Sequence, residues 1–201
     1  MDLFDHQIIP LQLTAECQST ITFWPNWLSY KDADKLLYRA IDSVDWRADS
    51  IKIVGKSIPI PRLQQWFGEL GTSYTYSNIS LQAVSFPDWI ERLRADVENQ
   101  TDAAFNRALV NYYRDGSDSV DWHADNEPEL GPEPLIASLS LGAERVFQLR
   151  HLQTKQRISI PLPHGSLLLM GAGIQGYWQH RIAKVKDLHQ PRVNFTFRYM
   201  D

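Results

Sequence analysis

The segment Trp122-His123-Ala124-Asp125 sets a histidine and an aspartate two residues apart. On an extended chain, residues i and i+2 point the same way, so an imidazole nitrogen and a carboxylate oxygen would meet at one ion. A third ligand would complete a face of two histidines and one carboxylate. That set suits iron(II) and leaves positions open for a cosubstrate and dioxygen. His180, in Tyr177-Trp178-Gln179-His180-Arg181, follows a predicted strand and a glycine-rich turn and is the candidate third ligand. Spacing alone does not choose it over His6, His151, His164 or His189. An isolated His-x-Asp is equally at home in a surface loop.

The last predicted strand bears on that choice. In Arg192-Val193-Asn194-Phe195-Thr196-Phe197-Arg198, the apolar residues face one way and Arg192, Asn194, Thr196 and Arg198 the other. Arginines are seldom buried without anionic partners, so two on one strand face suggest an anionic ligand; a solvated edge strand is the plain alternative. The strand spans roughly 20 Å. Each guanidinium gives bidentate, charge-assisted bonds to a carboxylate. A dicarboxylate gripped beside an iron site points to 2-oxoglutarate, whose 2-oxo acid end chelates open metal positions. Structural zinc fits poorly, because it favours cysteine and closed His/Cys sets.

These groups need strands to hold them. Ala108–Tyr113, Leu135–Leu141, Val146–Leu149, Arg157–Leu162, Ser166–Met170 and Arg192–Tyr199 read as short strands separated by turn signals such as Asp115-Gly116 and Leu141-Gly142. Two helices precede them. Ser29 and Asp32 form a capping pair for a helix with Ala33, Leu36, Leu37, Ala40 and Ile41 on one face. A second helix starts near Pro87 with Ile90, Leu93 and Val97 buried. The first 28 residues read as irregular, with an aromatic cluster at Phe23, Trp24 and Trp27. The expected class is α+β, mainly β: a jelly roll, or double-stranded β-helix, with the helices packed on one sheet.

Composition sets outer limits. The 201 residues favour a single domain, 1–201, and 43% hydrophobic with 22% charged residues is the balance of an ordinary globular protein. The lone Cys17 excludes an internal disulfide and fits a reducing compartment. The start, MDLFDHQIIPLQL, lacks the basic and long apolar regions of a signal peptide, and no apolar run approaches ~18 residues. A cytoplasmic protein with no membrane segment is expected, and a monomer. The net charge of −4 argues mildly against nucleic acid, but the charge is segregated. Asp88 to Glu133 holds 12 acids and 4 bases, whereas Glu144 to Arg198 holds 9 bases and 2 acids. Such a chain can present a basic face despite a negative total.

Seven segments in order carry a resemblance to the AlkB family of nucleic-acid dealkylating dioxygenases, closest to its repair branch. They are Tyr74-Thr75-Tyr76-Ser77, Val110-Asn111-Tyr112-Tyr113, His123 to Pro128, Ile136 to Gly142, His164 to Met170, Trp178-Gln179-His180-Arg181 and Pro191 to Arg198. The resemblance spans roughly residues 51 to 200. It implies that His123, Asp125 and His180 bind iron(II). It implies that Arg198 and Asn111 hold the metal-proximal end of 2-oxoglutarate, and Arg192, Tyr113 and Asn194 its distal carboxylate. It further implies a nucleotide-recognition lid within 51–86, ahead of a jelly-roll core over 105–200. In that lid Tyr76, with the ring of His123, would sandwich a base extruded from its stack. Tyr74 and Trp66 would support it or stack on neighbours. Lys52, Lys56 and Arg62 would meet phosphates. Glu127 resembles the acid that reads an exocyclic amine, which favours adenine or cytosine lesions.

The implied reaction removes methyl groups from 1-methyladenine and 3-methylcytosine in DNA and RNA, releasing formaldehyde and succinate. One departure shifts the expected substrate. Where the duplex-acting branch carries an aromatic finger before a glycine, this chain has Ile53-Val54-Gly55. An aliphatic wedge still unstacks bases, but single-stranded or locally open substrates become the expectation. Two alternatives stand beside this reading. A dioxygenase acting on a protein, lipid or small molecule would keep the triad and clamp without needing the basic, aromatic lid. A non-catalytic nucleic-acid binding module would need no triad.

Overall fold

The computed structural model describes residues 5–53, 56–69, 73–76 and 79–200; the side chains of 52–53, 73–76 and 79–81 lie outside the description. Val54 and Gly55, and the side chains of Tyr74 and Tyr76, are therefore outside the described part.

In chain order, a hairpin of β1 (Gln7–Gln12) and β2 (Gln18–Trp24) leads into helix α1 (Tyr30–Ser43). The hairpin β3 (Ser50–Ile53)/β4 (Lys56–Pro59), strand β5 (Leu63–Phe67) and the hairpin β6 (Ser73–Tyr76)/β7 (Ile79–Gln82) precede helix α2 (Asp88–Thr101). Then come β8 (Arg107–Tyr113), β9 (Val120–His123), β10 (Ile136–Gly142), β11 (Arg145–His151), β12 (Arg157–Leu162) and β13 (Ser166–Met170). A one-turn helix α3 (Ile174–Tyr177), β14 (Trp178–Ile182) and β15 (Arg192–Arg198) follow. Seven strands form a large sheet in the order β1-β2-β13-β10-β15-β8-β5, and four a small sheet, β12-β11-β14-β9. The pairings among these strands are antiparallel.

Two cores follow from the alternation along the strands. Val193, Phe195 and Phe197 of β15 join Leu37 and Ala40 of α1 and Ile90, Leu93 and Val97 of α2 in a helix-side core. The opposite face looks into the space between the sheets, where Ile136, Leu168 and Met170 meet Phe147, Leu149, Trp178 and Ile182. Helix α1 starts where its side chains dictate: the Ser29 hydroxyl accepts from the Asp32 backbone N–H and donates to the Asp32 carboxylate.

The fold differs from expectation in two places. Residues 7–24, expected as irregular, supply two strands of the large sheet. Pro10 conceals β1, because proline is tolerated only where a strand is an edge, as β1 is. The jelly-roll sheet is therefore wider than 105–200. It also takes in β5, expected as lid: Leu63–Phe67 pairs with β8. The alternation is hidden there because Gln64 and Gln65 are buried, their amides donating to the Asp49 carboxylate and the Asp45 carbonyl.

Candidate metal centre and cosubstrate pocket

His123 and His180 are direct register partners on β9 and β14, with ring centroids 4.2 Å apart on the inner face of the small sheet. Asp125 lies two residues past the end of β9 and is 2% exposed. Its Oδ1 is 3.7 Å from His123 Nε2. One ligand atom from each of the three residues lies within 4.8 Å of the others. His180 is thus the histidine brought to the His-x-Asp pair, a choice spacing had left open. His151 is instead buried against the N-terminal hairpin, its Nε2 3.1 Å from the Leu13 carbonyl.

The protonation states suit a cation. His123 Nδ1 sits 2.8 Å from the Asp121 carbonyl, which can only accept, so the proton is on Nδ1 and Nε2 keeps its lone pair. Burial lowers the pKa of both histidines, that of His180 to about 3, so both are neutral imidazoles. Burial alone would raise the Asp125 carboxyl, but the charge and hydrogen bond of Arg198 together with the neighbouring His180 and His123 outweigh it, and the carboxylate stays ionised. Asp125 Oδ1 is buried and has no hydrogen-bond partner among the described residues. Two neutral imidazoles around an unsatisfied carboxylate oxygen fit a divalent cation, which would remove that desolvation cost. Gln175, on α3, holds this segment from behind: its Oε1 accepts from the Asp125 backbone N–H at 3.0 Å. Sequence reading missed Gln175, because nothing local links residues 50 positions apart.

Arg62, Asn111, Tyr113, Arg192, Asn194 and Arg198 line the same pocket as the triad. Strand β15 places Arg198 at the triad, where its guanidinium donates to Asp125 Oδ2 at 2.6 Å. Arg192, six residues earlier, is 1% exposed and lies 5.0 Å from the Tyr113 ring centroid. It donates through Nη2 to Ser140 Oγ, while Nε and Nη1 have no partner among the described residues. Burial lowers its pKa to about 10, which leaves it cationic at neutral pH. A buried guanidinium with two unsatisfied donors fits a carboxylate ligand. Gly142, the register partner of Arg192, fixes this end. It has φ +91°, and a Cβ there would sit 2.3 Å from the Pro191 carbonyl oxygen.

Three expected contacts come out differently. Arg62, expected at phosphates, is buried and donates from Nε to Asn111 Oδ1 at 2.9 Å. The turn into β5 directs it into the pocket rather than outward. Trp66, expected as a stacking platform, is 1% exposed. It packs with Ile60, Ala83, Leu109, Leu130 and Met200, with Arg198 Cζ 5.9 Å from its ring, because its strand belongs to the large sheet. Asn194, expected at the distal carboxylate, donates its amide protons to Ser138 Oγ and the Leu139 carbonyl, and so braces the sheet. Glu127 lies half-buried two residues beyond Asp125, Lys56 is exposed, and of Tyr74 and Tyr76 only the strand β6 is described.

A facial metal site facing a buried, anion-seeking arginine defines an iron-dependent oxygenase that consumes a dicarboxylate. Comparison with known proteins agrees: the 2OG-Fe(II) oxygenase superfamily matches residues 20–198. The chain belongs to this superfamily and, within it, to the AlkB family. It is 39% identical over 203 residues to the mouse (Mus musculus) alpha-ketoglutarate-dependent dioxygenase alkB homolog 3, covering 95% of this chain and 70% of that protein. It is 33% identical over 194 residues to the human (Homo sapiens) DNA oxidative demethylase ALKBH2, covering 91% and 72%. The solved structure of OsALKBH1 shares the fold, with a TM-score of 0.68 at 16% identity over 96% of this chain and all of that one. The enzyme is a dioxygenase whose cofactor is iron(II) and whose cosubstrates are 2-oxoglutarate and dioxygen.

Proposed function

We propose that the enzyme oxidatively removes N-linked methyl groups from bases in nucleic acid, with 1-methyladenine and 3-methylcytosine in single-stranded DNA, and in RNA, as substrates and formaldehyde and succinate as products. The observation that carries this reading is the join between two sites: Arg198 bonds the Asp125 of the triad while Arg192, on the same strand face, has donors left over. The name of a relative 33% identical over 194 residues, a DNA oxidative demethylase, supports nucleic acid as the substrate.

His123, Asp125 and His180 hold the iron, which with 2-oxoglutarate and dioxygen supplies the oxidising power. Arg198 keeps Asp125 ionised and oriented, and with Asn111 faces the metal-proximal end of the cosubstrate. Arg192 and Tyr113 receive the distal carboxylate; Ser140 holds one edge of the Arg192 guanidinium so that the other faces the ligand. The Asp121 carbonyl and Gln175 fix the His123 ring and the Asp125 backbone, so little reorganisation accompanies metal binding. Glu127, two residues beyond Asp125, accepts from the exocyclic amine of the extruded base. The positive charge of both lesions favours a site beside an acid.

The test is release of formaldehyde and succinate from a single-stranded oligonucleotide bearing 1-methyladenine, with iron(II), ascorbate and 2-oxoglutarate, against His180→Ala. Equal release of the two products, lost in the variant, is expected. Succinate without formaldehyde would discard the nucleic-acid substrate and keep the dioxygenase.

A further inference from the structure

Strand β9 delivers His123 from an exposed edge with little ladder to hold it. It is four residues long, ends the small sheet, and neighbours only β14. Its register partners are His180 for His123 and Ile182 for Val120, with an irregularity between. Asp121 and Trp122 together therefore oppose Arg181 alone, which is a β-bulge. At the bulge the Trp122 backbone N–H donates to the Asp121 carboxylate.

The other side of the same two strands supplies what the ladder lacks. The Trp122 ring has two guanidinium groups near it, Arg150 Cζ and Arg181 Cζ, each 4.5 Å from the ring centroid. Each arginine is held by a glutamine across the sheet: Arg150 donates to Gln179 at 2.7 Å and Arg181 to Gln148 at 2.6 Å. Neither has a carboxylate partner among the described residues, so the indole is the main electron-rich group they meet. Trp122 precedes His123 and Arg181 follows His180, so the two histidines meet inside while their neighbours meet outside.

We propose that Trp122 is a positioning residue: gripped by Arg150 and Arg181, it fixes the edge strand β9 against β14 and so sets the separation of His123 from His180. The clasp rests on the reading of His123 as a metal ligand. Because it spans β11, β14 and β9, it ties the three strands together where the register is irregular and leaves the inner face free for the ion. Removing the indole frees the bulge and spreads the two imidazoles over several separations, most of which bind metal poorly.

Cobalt(II) titration of the metal-free enzyme tests this, read from the visible ligand-field bands and the dissociation constant, with thermal unfolding alongside. Trp122→Ala is expected to weaken cobalt binding roughly tenfold and to alter the bands, as loss of an outer ligand support typically does. Trp122→Phe, which keeps a ring for the guanidinium groups, is expected to recover most of the affinity. Parent-like binding and bands in Trp122→Ala, or a Trp122→Phe variant as weak as Trp122→Ala, would overturn the proposal. If Trp122→Ala does not fold, Arg181→Met decides: weaker binding at a parent-like thermal midpoint supports the clasp, and parent-like binding overturns it. His123→Ala separates the two readings, since cobalt binding that survives its loss sinks the ligand assignment itself.

Discussion

Arg198 Nη2 donates to Asp125 Oδ2 at 2.6 Å, and both side chains are almost wholly buried. The carboxylate thus has one oxygen committed to an arginine and the other, Oδ1, 3.7 Å from His123 Nε2 and without a hydrogen-bond partner among the described residues. Removing the arginine strands a buried charge. Arg198→Met should lower the stability of the metal-free protein by about 3–5 kcal/mol. Urea unfolding with and without iron(II) is the measurement. Metal should recover part of the loss by giving Asp125 another partner, and equal losses in both conditions would argue against a metal at Oδ1. Asp125→Ala should abolish turnover and iron retention together.

Arg192 makes the opposite prediction. It is a buried cation with two unsatisfied donors, so its contribution to the unliganded fold is small or negative. Arg192→Met should unfold within about 2 °C of the parent, or above it, in the absence of cosubstrate. The rise in midpoint that 2-oxoglutarate gives the parent should vanish. The KM for 2-oxoglutarate should rise roughly tenfold to a hundredfold, the worth of hydrogen bonds to a charged group.

Gln175 acts through the backbone. Replacing it with leucine leaves the buried N–H of Asp125 without its acceptor, at a cost of about 1–3 kcal/mol. Iron affinity should fall with stability, and Gln175→Glu, which keeps an acceptor oxygen, should restore more of the affinity than Gln175→Leu. Chelator competition and thermal unfolding on the three proteins decide it.

The turn between β8 and β9 carries an acid-sensitive tie. Asp118 accepts from the Arg114 backbone N–H, Nε and Nη2. Burial pulls its pKa upward, but the Arg114 hydrogen bonds and charge pull it further down, for a net lowering. A depressed carboxyl stabilises the fold above its unfolded value, near ~3.9, and loses that contribution as pH falls through the folded value. Asp118→Asn should therefore be less stable than the parent at pH 7, with the gap narrowing below about pH 4. Urea midpoints across pH 3 to 7 would reveal it, and a gap independent of pH would refute it.

The site was more legible in the sequence than the sheets that carry it. Alternation along β15 separated Arg192 and Arg198 from Val193, Phe195 and Phe197 without any knowledge of partners, and the structure keeps that division while burying all seven residues. The choice of His180 became visible only through resemblance and geometry, since β9 and β14 are short and their register passes through a bulge. Arg62 and Trp66 carry the residue types of a nucleic-acid surface, yet both are buried, because pairing of β5 with β8 is a long-range event without a local signal. Asn194 could not be read as a sheet brace, for its partners Ser138 and Leu139 lie 56 and 55 residues away.

Strand β15 comes last among the described strands, yet it occupies an interior position of the large sheet, between β10 and β8. Until it docks, β10 and β8 each present a bare edge, and the two parts of the sheet have no ladder joining them. During synthesis this fastener emerges after the other described strands of the sheet, so those strands must wait as separate pieces with their edges open. Contacts of such long sequence separation make for slow, all-or-none assembly. They also guard the chemistry: a chain halted before Arg192 would hold His123, Asp125 and His180 but would lack both arginines proposed to grip the cosubstrate.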